Sequence, residues 1–129
     1  MILALRTDKP EAELQLYNDQ KLIDQLVWHA HRELSDTLLL KIEELLLTNS
    51  LSKSDLTAIV AYEGPGSFTG LRIGLSVANA LSYSLNVPIA GTSGDSWQQD
   101  GMAKLSAASA PSVVMPLYGS DPHITKPRK

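Results

Sequence analysis

The spacing of apolar residues changes period along the chain, and each change marks an element. Met1 to Leu5 is a short apolar run that reads as a buried strand. Arg6 to Pro10 supplies turn chemistry. Glu11 to Tyr17 then alternates, with Ala12, Leu14 and Leu16 on one face and Glu11, Glu13 and Gln15 on the other. Asn18-Asp19-Gln20 fits a hairpin turn, and Leu22 to His29 returns as a third strand. From Leu34 the period is helical: Leu34, Leu38, Ile42, Leu45 and Leu46 share one side, with Lys41, Glu43 and Glu44 toward water. Ser35 or Asp36 is placed to cap this helix, and Asn49-Ser50 to end it. After a turn at Ser52 to Asp55, Leu56 to Glu63 is a fourth strand, Phe68 to Ser84 a second helix and Val87 to Gly91 a fifth strand. Three strands followed by strand–helix alternation predict an α/β domain, a mixed five-stranded sheet with helices on its faces.

Beyond Gly91 the pattern thins. Ser96 to Leu105 fits a short helix, Ser106 to Pro111 a small-residue linker, and Ser112 to Leu117 a short strand. Gly119 to Lys129, with two prolines and a basic end, reads as an extended tail. The expected organisation is a domain over residues 1–105 with a linker and tail over 106–129. At 129 residues the chain is long enough for one core but short for an enzyme with a two-domain cleft. A net charge of −3 gives no general basic footprint for nucleic acid. Cysteine is absent, which removes disulfides, thiolate metal sites and thiol nucleophiles. The apolar start is too short for a signal sequence, and no apolar run approaches the roughly 20 residues that span a bilayer. A soluble, cytoplasmic protein is expected.

The chemistry concentrates in Gly64-Pro65-Gly66-Ser67-Phe68-Thr69-Gly70-Leu71-Arg72-Ile73-Gly74. Gly64 and Gly66 straddle a proline directly after a strand, where the backbone turns sharply, and Ser67 stands where a helix N-cap is needed. Gly66, Gly70, Gly74 and Ala78 fall four apart on one helical stripe. Each interior glycine costs roughly 0.5–1 kcal/mol against alanine, so close approach of another element is the expected reason for it. Leu71, Ile73, Leu75, Val77, Leu81 and Leu85 surround the same helix, which implies burial on more than one side, one against its own sheet and the other against a partner.

Two chemical readings compete with this packing turn. A glycine-rich turn entering a helix is an anion site, but Gly-Lys-Ser/Thr is missing and the dinucleotide pattern does not fit. A Ser67 nucleophile needs a positioned histidine and acid, and no such pair is recognisable. His29 and His31 lie two apart without an evident third ligand. Glu43 and Glu44 read as solvated, Trp28 and Trp97 as packing residues, and Lys126, Arg128 and Lys129 as a solubilising end rather than a phosphate contact. No catalytic residue, metal or cofactor is assigned.

Gly64 to Gly74 resembles the signature of the TsaB family (also called YeaZ), bacterial proteins needed to make N6-threonylcarbamoyladenosine (t6A) on tRNA. The resemblance extends through the strand hairpin, the Leu34–Leu47 helix, Ala58–Glu63, Asn79-Ala80-Leu81 and Val87-Pro88-Ile89-Ala90-Gly91, about residues 1 to 100. Pro116-Leu117-Tyr118 and Ile124-Thr125-Lys126-Pro127 also resemble tails of this family, which suggests a second domain lost between them. The resemblance implies a ribonuclease-H-like domain of the actin/Hsp70/sugar-kinase-like fold. It implies a non-catalytic subunit that pairs with the catalytic TsaD through its two helices, with the ATPase TsaE in the assembled complex and tRNA met indirectly.

On that basis the partner interface is expected at Leu38, Ile42 and Leu45 of the first helix and Gly70, Ile73, Gly74 and Val77 of the second. Gly64, Pro65, Gly66 and Ser67 form the structural turn. Gly74→Leu is then expected to block pairing while the domain stays folded. The chain departs from the family at Arg6-Thr7-Asp8, where Asp-Thr-Ser is common; Arg6 puts a cation where a carboxylate would help place a metal ion, which argues against nucleotide hydrolysis. TsaD-like histidines four apart on a helix are also missing. The alternatives are a nucleotide-hydrolysing or peptidase-like enzyme, and a homodimer that uses the same helix pair.

Overall fold

Alternation and helical spacing translate directly into the layers of a computed structural model, which describes residues 1–105 and 112–117. The strands are β1 (Ile2–Arg6), β2 (Glu11–Asn18), β3 (Lys21–His29), β4 (Ala58–Tyr62) and β5 (Ile89–Thr92). The helices are α1 (Leu34–Thr48), α2 (Phe68–Leu85) and α3 (Trp97–Leu105). The sheet runs β3-β2-β1-β4-β5. β1, β2 and β3 pair antiparallel, whereas β4 pairs parallel with both β1 and β5, so the sheet is mixed as expected. β4 is buried along its length, as befits a parallel strand covered on both faces.

The two faces hold separate cores. On one, Leu3, Leu5, Leu14, Leu16 and Ile59 meet Leu38, Ile42 and Leu46 of α1 and Leu75, Ala78 and Leu81 of α2. On the other, Ala4, Val60 and Tyr62 meet Trp97 and Leu105 of α3, with Trp97 edge-on to Tyr62 at a centroid distance of 5.9 Å. Gly101 lets α3 lie on β4, since a side chain there would collide with Val60. No helix among the described residues is long and apolar enough to cross a membrane.

Several local expectations need correction. A 3-10 turn at His31–Glu33 runs straight into α1, so the N-cap position is Glu33 and neither Ser35 nor Asp36 caps it. Ser67 holds the N-cap position of α2, but its side chain makes no capping hydrogen bond. Residues 112–117 are extended without joining the sheet as a strand, because their polar contacts go to the Asn79 side chain and the Glu63 carbonyl. The linker expected at 106–111, Tyr118, and the tail with Lys126, Arg128 and Lys129 lie outside the described residues.

Candidate partner-binding site

Thr7 explains the glycine stripe. It follows β1, is 2% exposed, and donates its hydroxyl to the Gly70 carbonyl at 2.8 Å. A side chain at Gly70 would collide with the Thr7 carbonyl oxygen, and one at Gly74 with the Thr7 hydroxyl. One position earlier on the stripe, Gly66 lies against the Asp8 side chain. The close approach deduced from the sequence is therefore made within the chain, by the β1–β2 turn, rather than by a partner.

The same turn fastens the Gly64–Ser67 loop. The Ser67 amide donates to the Asp8 carbonyl at 3.2 Å, and the Tyr62 hydroxyl to the Pro65 carbonyl at 3.1 Å. Gly64 has φ +124°, a conformation that L side chains rarely adopt, and the Gly64–Pro65 peptide is cis. Arg6 closes the arrangement: its Nε and a terminal nitrogen donate to the Asp8 carboxylate at 2.6 and 3.1 Å, while its guanidinium lies 3.9 Å from the Tyr62 ring centroid. The hydrogen bond to Asp8 raises the Arg6 pKa above its ordinary value. Arg6→Met would strand the nearly buried Asp8 carboxylate. It should lower the unfolding free energy by about 1–3 kcal/mol in urea titrations, and an unchanged midpoint would contradict this role.

The surface left open lies between the helices. Ser35 of α1 and Thr69, Arg72, Ile73, Ser76 and Val77 of α2 line a groove of about 400 Å³. It adjoins a cleft of about 440 Å³ that shares Thr69 and Ile73 and reaches Thr7, Lys9, Arg32 and Gly70. Ile73 and Val77 are the groove's apolar residues, Ser35, Thr69 and Ser76 its hydroxyl-bearing ones, and Arg72, stacked 5.2 Å from the Phe68 ring centroid, supplies its charge.

The expected interface residues divide accordingly. Ile73 and Val77 line the groove and Gly70 the cleft beside it. Leu38, Ile42 and Leu45 are at most 3% exposed and belong to the core beneath α1, and Gly74 is buried against Thr7. None of these four has surface to offer, so Gly74→Leu would break the fold's own contact first. The sequence reading missed Ser35, Thr69, Arg72 and Ser76, yet 69, 72, 73, 76 and 77 follow helical spacing and form one stripe beside the buried one. A rule that follows apolar residues alone passes over a stripe half made of polar ones.

Other candidates settle into ordinary contacts. His29 lies 3.3 Å from Glu11 on the exposed side of β2 and β3, and the His31 side chain is outside the described atoms. Glu43 pairs with Lys53 and Glu44 with Lys41. The Trp28 indole donates to Thr37 at 3.1 Å, and Trp97 is 2% exposed. Among the described residues, no group of three or more His, Asp or Glu is arranged to hold a metal.

Comparison with known proteins agrees with this architecture. The family model for TsaD, tRNA N6-adenosine threonylcarbamoyltransferase, matches residues 28–95, just over half of the chain. The Escherichia coli K12 protein TsaB, described as a tRNA threonylcarbamoyladenosine biosynthesis protein, is 30% identical over 118 residues, covering 83% of this chain and 48% of its own. TsaB of Bacillus subtilis 168 is 32% identical over 92 residues, covering 71% of this chain and 40% of its own. The solved structure of YeaZ from Pseudomonas aeruginosa superposes with a TM-score of 0.66 at 28% identity, over 71% of this chain and 43% of that one. The chain thus spans about half the length or less of the relatives it matches. The relatives that match most of this sequence are named TsaB, and the structure that shares its ribonuclease-H-like sheet is named YeaZ: the chain belongs to the TsaB (YeaZ) family.

Proposed function

We propose that this chain is a non-catalytic scaffold subunit that pairs with a TsaD-like threonylcarbamoyltransferase in t6A formation at adenosine 37 of cytoplasmic tRNA. The carrying observation is the open α1–α2 groove, where Ile73 and Val77 lie among Ser35, Thr69, Ser76 and the charged Arg72, on a chain whose relatives are named for t6A biosynthesis. Its size suits the insertion of a few side chains from a partner helix, the usual way an amphipathic helix seats in a groove. The non-catalytic reading rests on Arg6, which fills the end of β1 with a guanidinium held by Asp8 and Tyr62. A TsaE-like ATPase joins the assembled complex in this reading, and tRNA is met indirectly.

Co-elution of the chain with its cognate TsaD in size-exclusion chromatography tests the pairing. The Ser76→Trp variant, altered at an exposed groove position, should weaken it at least tenfold, worth about 1.4 kcal/mol, without moving the melting temperature. No co-elution of the unaltered chain, with TsaD active alone, would sink the reading. Self-association is the second reading, because Leu40 and Leu47 of α1 are 64% and 76% exposed on the same side of the sheet. Sedimentation with and without TsaD separates the two. ATP turnover by the purified chain, lost on changing Ser67 or Thr7, would instead favour an enzyme.

A further inference from the structure

Residues 112–117 lie along α2, and three distant parts of the domain are shaped to receive them. The Asn79 carboxamide donates to the Val114 carbonyl at 2.9 Å and accepts from the Val114 amide at 2.9 Å. It thereby reads both main-chain groups of one residue, as a neighbouring strand would. The Leu117 amide donates to the Glu63 carbonyl at 2.7 Å, directly before the Gly64 turn. A side chain at Gly64 would collide with the Leu117 carbonyl, and one at Gly91 with the Val114 side chain.

The segment itself is held lightly. Val114 enters the core at 8% exposure, whereas Val113 and Met115 are each 70% exposed and Leu117 52%. A stretch with one buried anchor and a few main-chain bonds opens locally, well before the whole domain unfolds. Its seat is not isolated from the groove. Arg72 and Ser76 line the α1–α2 groove on one flank of α2 and, with Leu75, Asn79, Met115 and Pro116, a cleft of about 250 Å³ beneath the segment on the other.

We propose that residues 112–117 form a detachable strap, seated by Asn79, whose seating holds the Arg72–Asn79 turns of α2 and so sets the shape of the α1–α2 groove. The strap is recognised through its main chain and one β-branched anchor, so an extended peptide of that chemistry is what the seat accepts. Partner binding at the groove would then be conditional on a strap that touches no partner residue. The inference goes beyond pairing with TsaD and is tested in the isolated full chain, whether or not TsaD binds.

Hydrogen exchange and methyl NMR of Asn79→Ala and Asn79→Asp provide the test. Leu117 bonds to Glu63 and not to Asn79, so its amide reports the whole strap. Its exchange should be at least tenfold faster in Asn79→Ala and intermediate in Asn79→Asp, which keeps the acceptor but loses the donor. The Ile73 and Val77 methyl signals in the groove should shift in the same order, with β1 amides unchanged. Val114→Ala, which removes the anchor and leaves α2 intact, should give the same pattern. Unchanged Leu117 exchange would show that the segment is not one unit, and faster exchange with unmoved methyl signals would show no coupling. Equal acceleration of β1 in both Asn79→Ala and Val114→Ala would make the strap part of the global fold. Any of these three results overturns the proposal.

Discussion

Gly74→Leu should leave little folded protein, and even Gly74→Ala should lose stability, against the ordinary preference of a helix. Alanine in place of an interior glycine gains about 1 kcal/mol of helix propensity. Here the new Cβ would meet the Thr7 hydroxyl and lie 2.9 Å from the Thr7 Cβ and Cγ2. Thr7 cannot swing aside cheaply, because it is β-branched, 2% exposed and bonded to the Gly70 carbonyl. Overpacking of this kind costs about 1–3 kcal/mol for a small group and more for a leucine, so the clash outweighs the propensity. Urea denaturation of Gly74→Ala, Thr7→Ala and the double variant checks this as a cycle. Thr7→Ala alone should cost about 1 kcal/mol for its lost hydrogen bond. The double variant should be more stable than the sum of the two by about 0.5–1.5 kcal/mol, within the range for contacting residues. A Gly74→Ala variant more stable than the unaltered chain would mean that Thr7 is not the reason for the glycine.

This result bears on how far the sequence could be read. Period located β2, α1 and α2, because each buries one side that repeats every two or every 3.6 residues, whereas β1 and β4, buried on both faces, showed only as short apolar runs. Helix starts were harder: Ser35, Asp36 and Ser67 are good capping types, yet the 3-10 turn at His31–Glu33 and the Asp8–Ser67 bond fix where the helices begin. The glycine stripe was legible as a close approach, but its neighbour was not. Thr7 is 63 residues from Gly70, and only the parallel pairing of β1 with β4 brings the β1–β2 turn over the start of α2. The groove suffered from the same blindness. An apolar helical stripe looks alike whether it faces a sheet or a partner, so Leu38 and Ile42 were grouped with Ile73 and Val77 although only the latter pair reaches the surface. Asn79 was visible merely as part of a family-like Asn-Ala-Leu run; its bond to Val114 spans 35 residues and has no local signature.

Leu38→Ala should therefore act on stability and not on recognition. Leu38 is 0% exposed and lies with Ile42 and Leu46 in the core between α1 and the sheet, so truncation removes buried methyls and leaves a void, for about 2–5 kcal/mol. A domain of this size holds about 5–15 kcal/mol in total, and the variant is expected to melt many degrees lower. Leu40 stands two residues away on α1, 64% exposed, and Leu40→Ala should change stability by no more than about 0.5 kcal/mol. Measured below both melting points, Leu38→Ala should bind TsaD as tightly as the unaltered chain, because the surface it supports is still folded. If α1 takes part in the interface, Leu40→Ala should instead weaken pairing several-fold at unchanged stability. A Leu38→Ala variant that melts normally but fails to pair would put the buried face of α1 at the interface after all, which would require α1 to leave the sheet on binding.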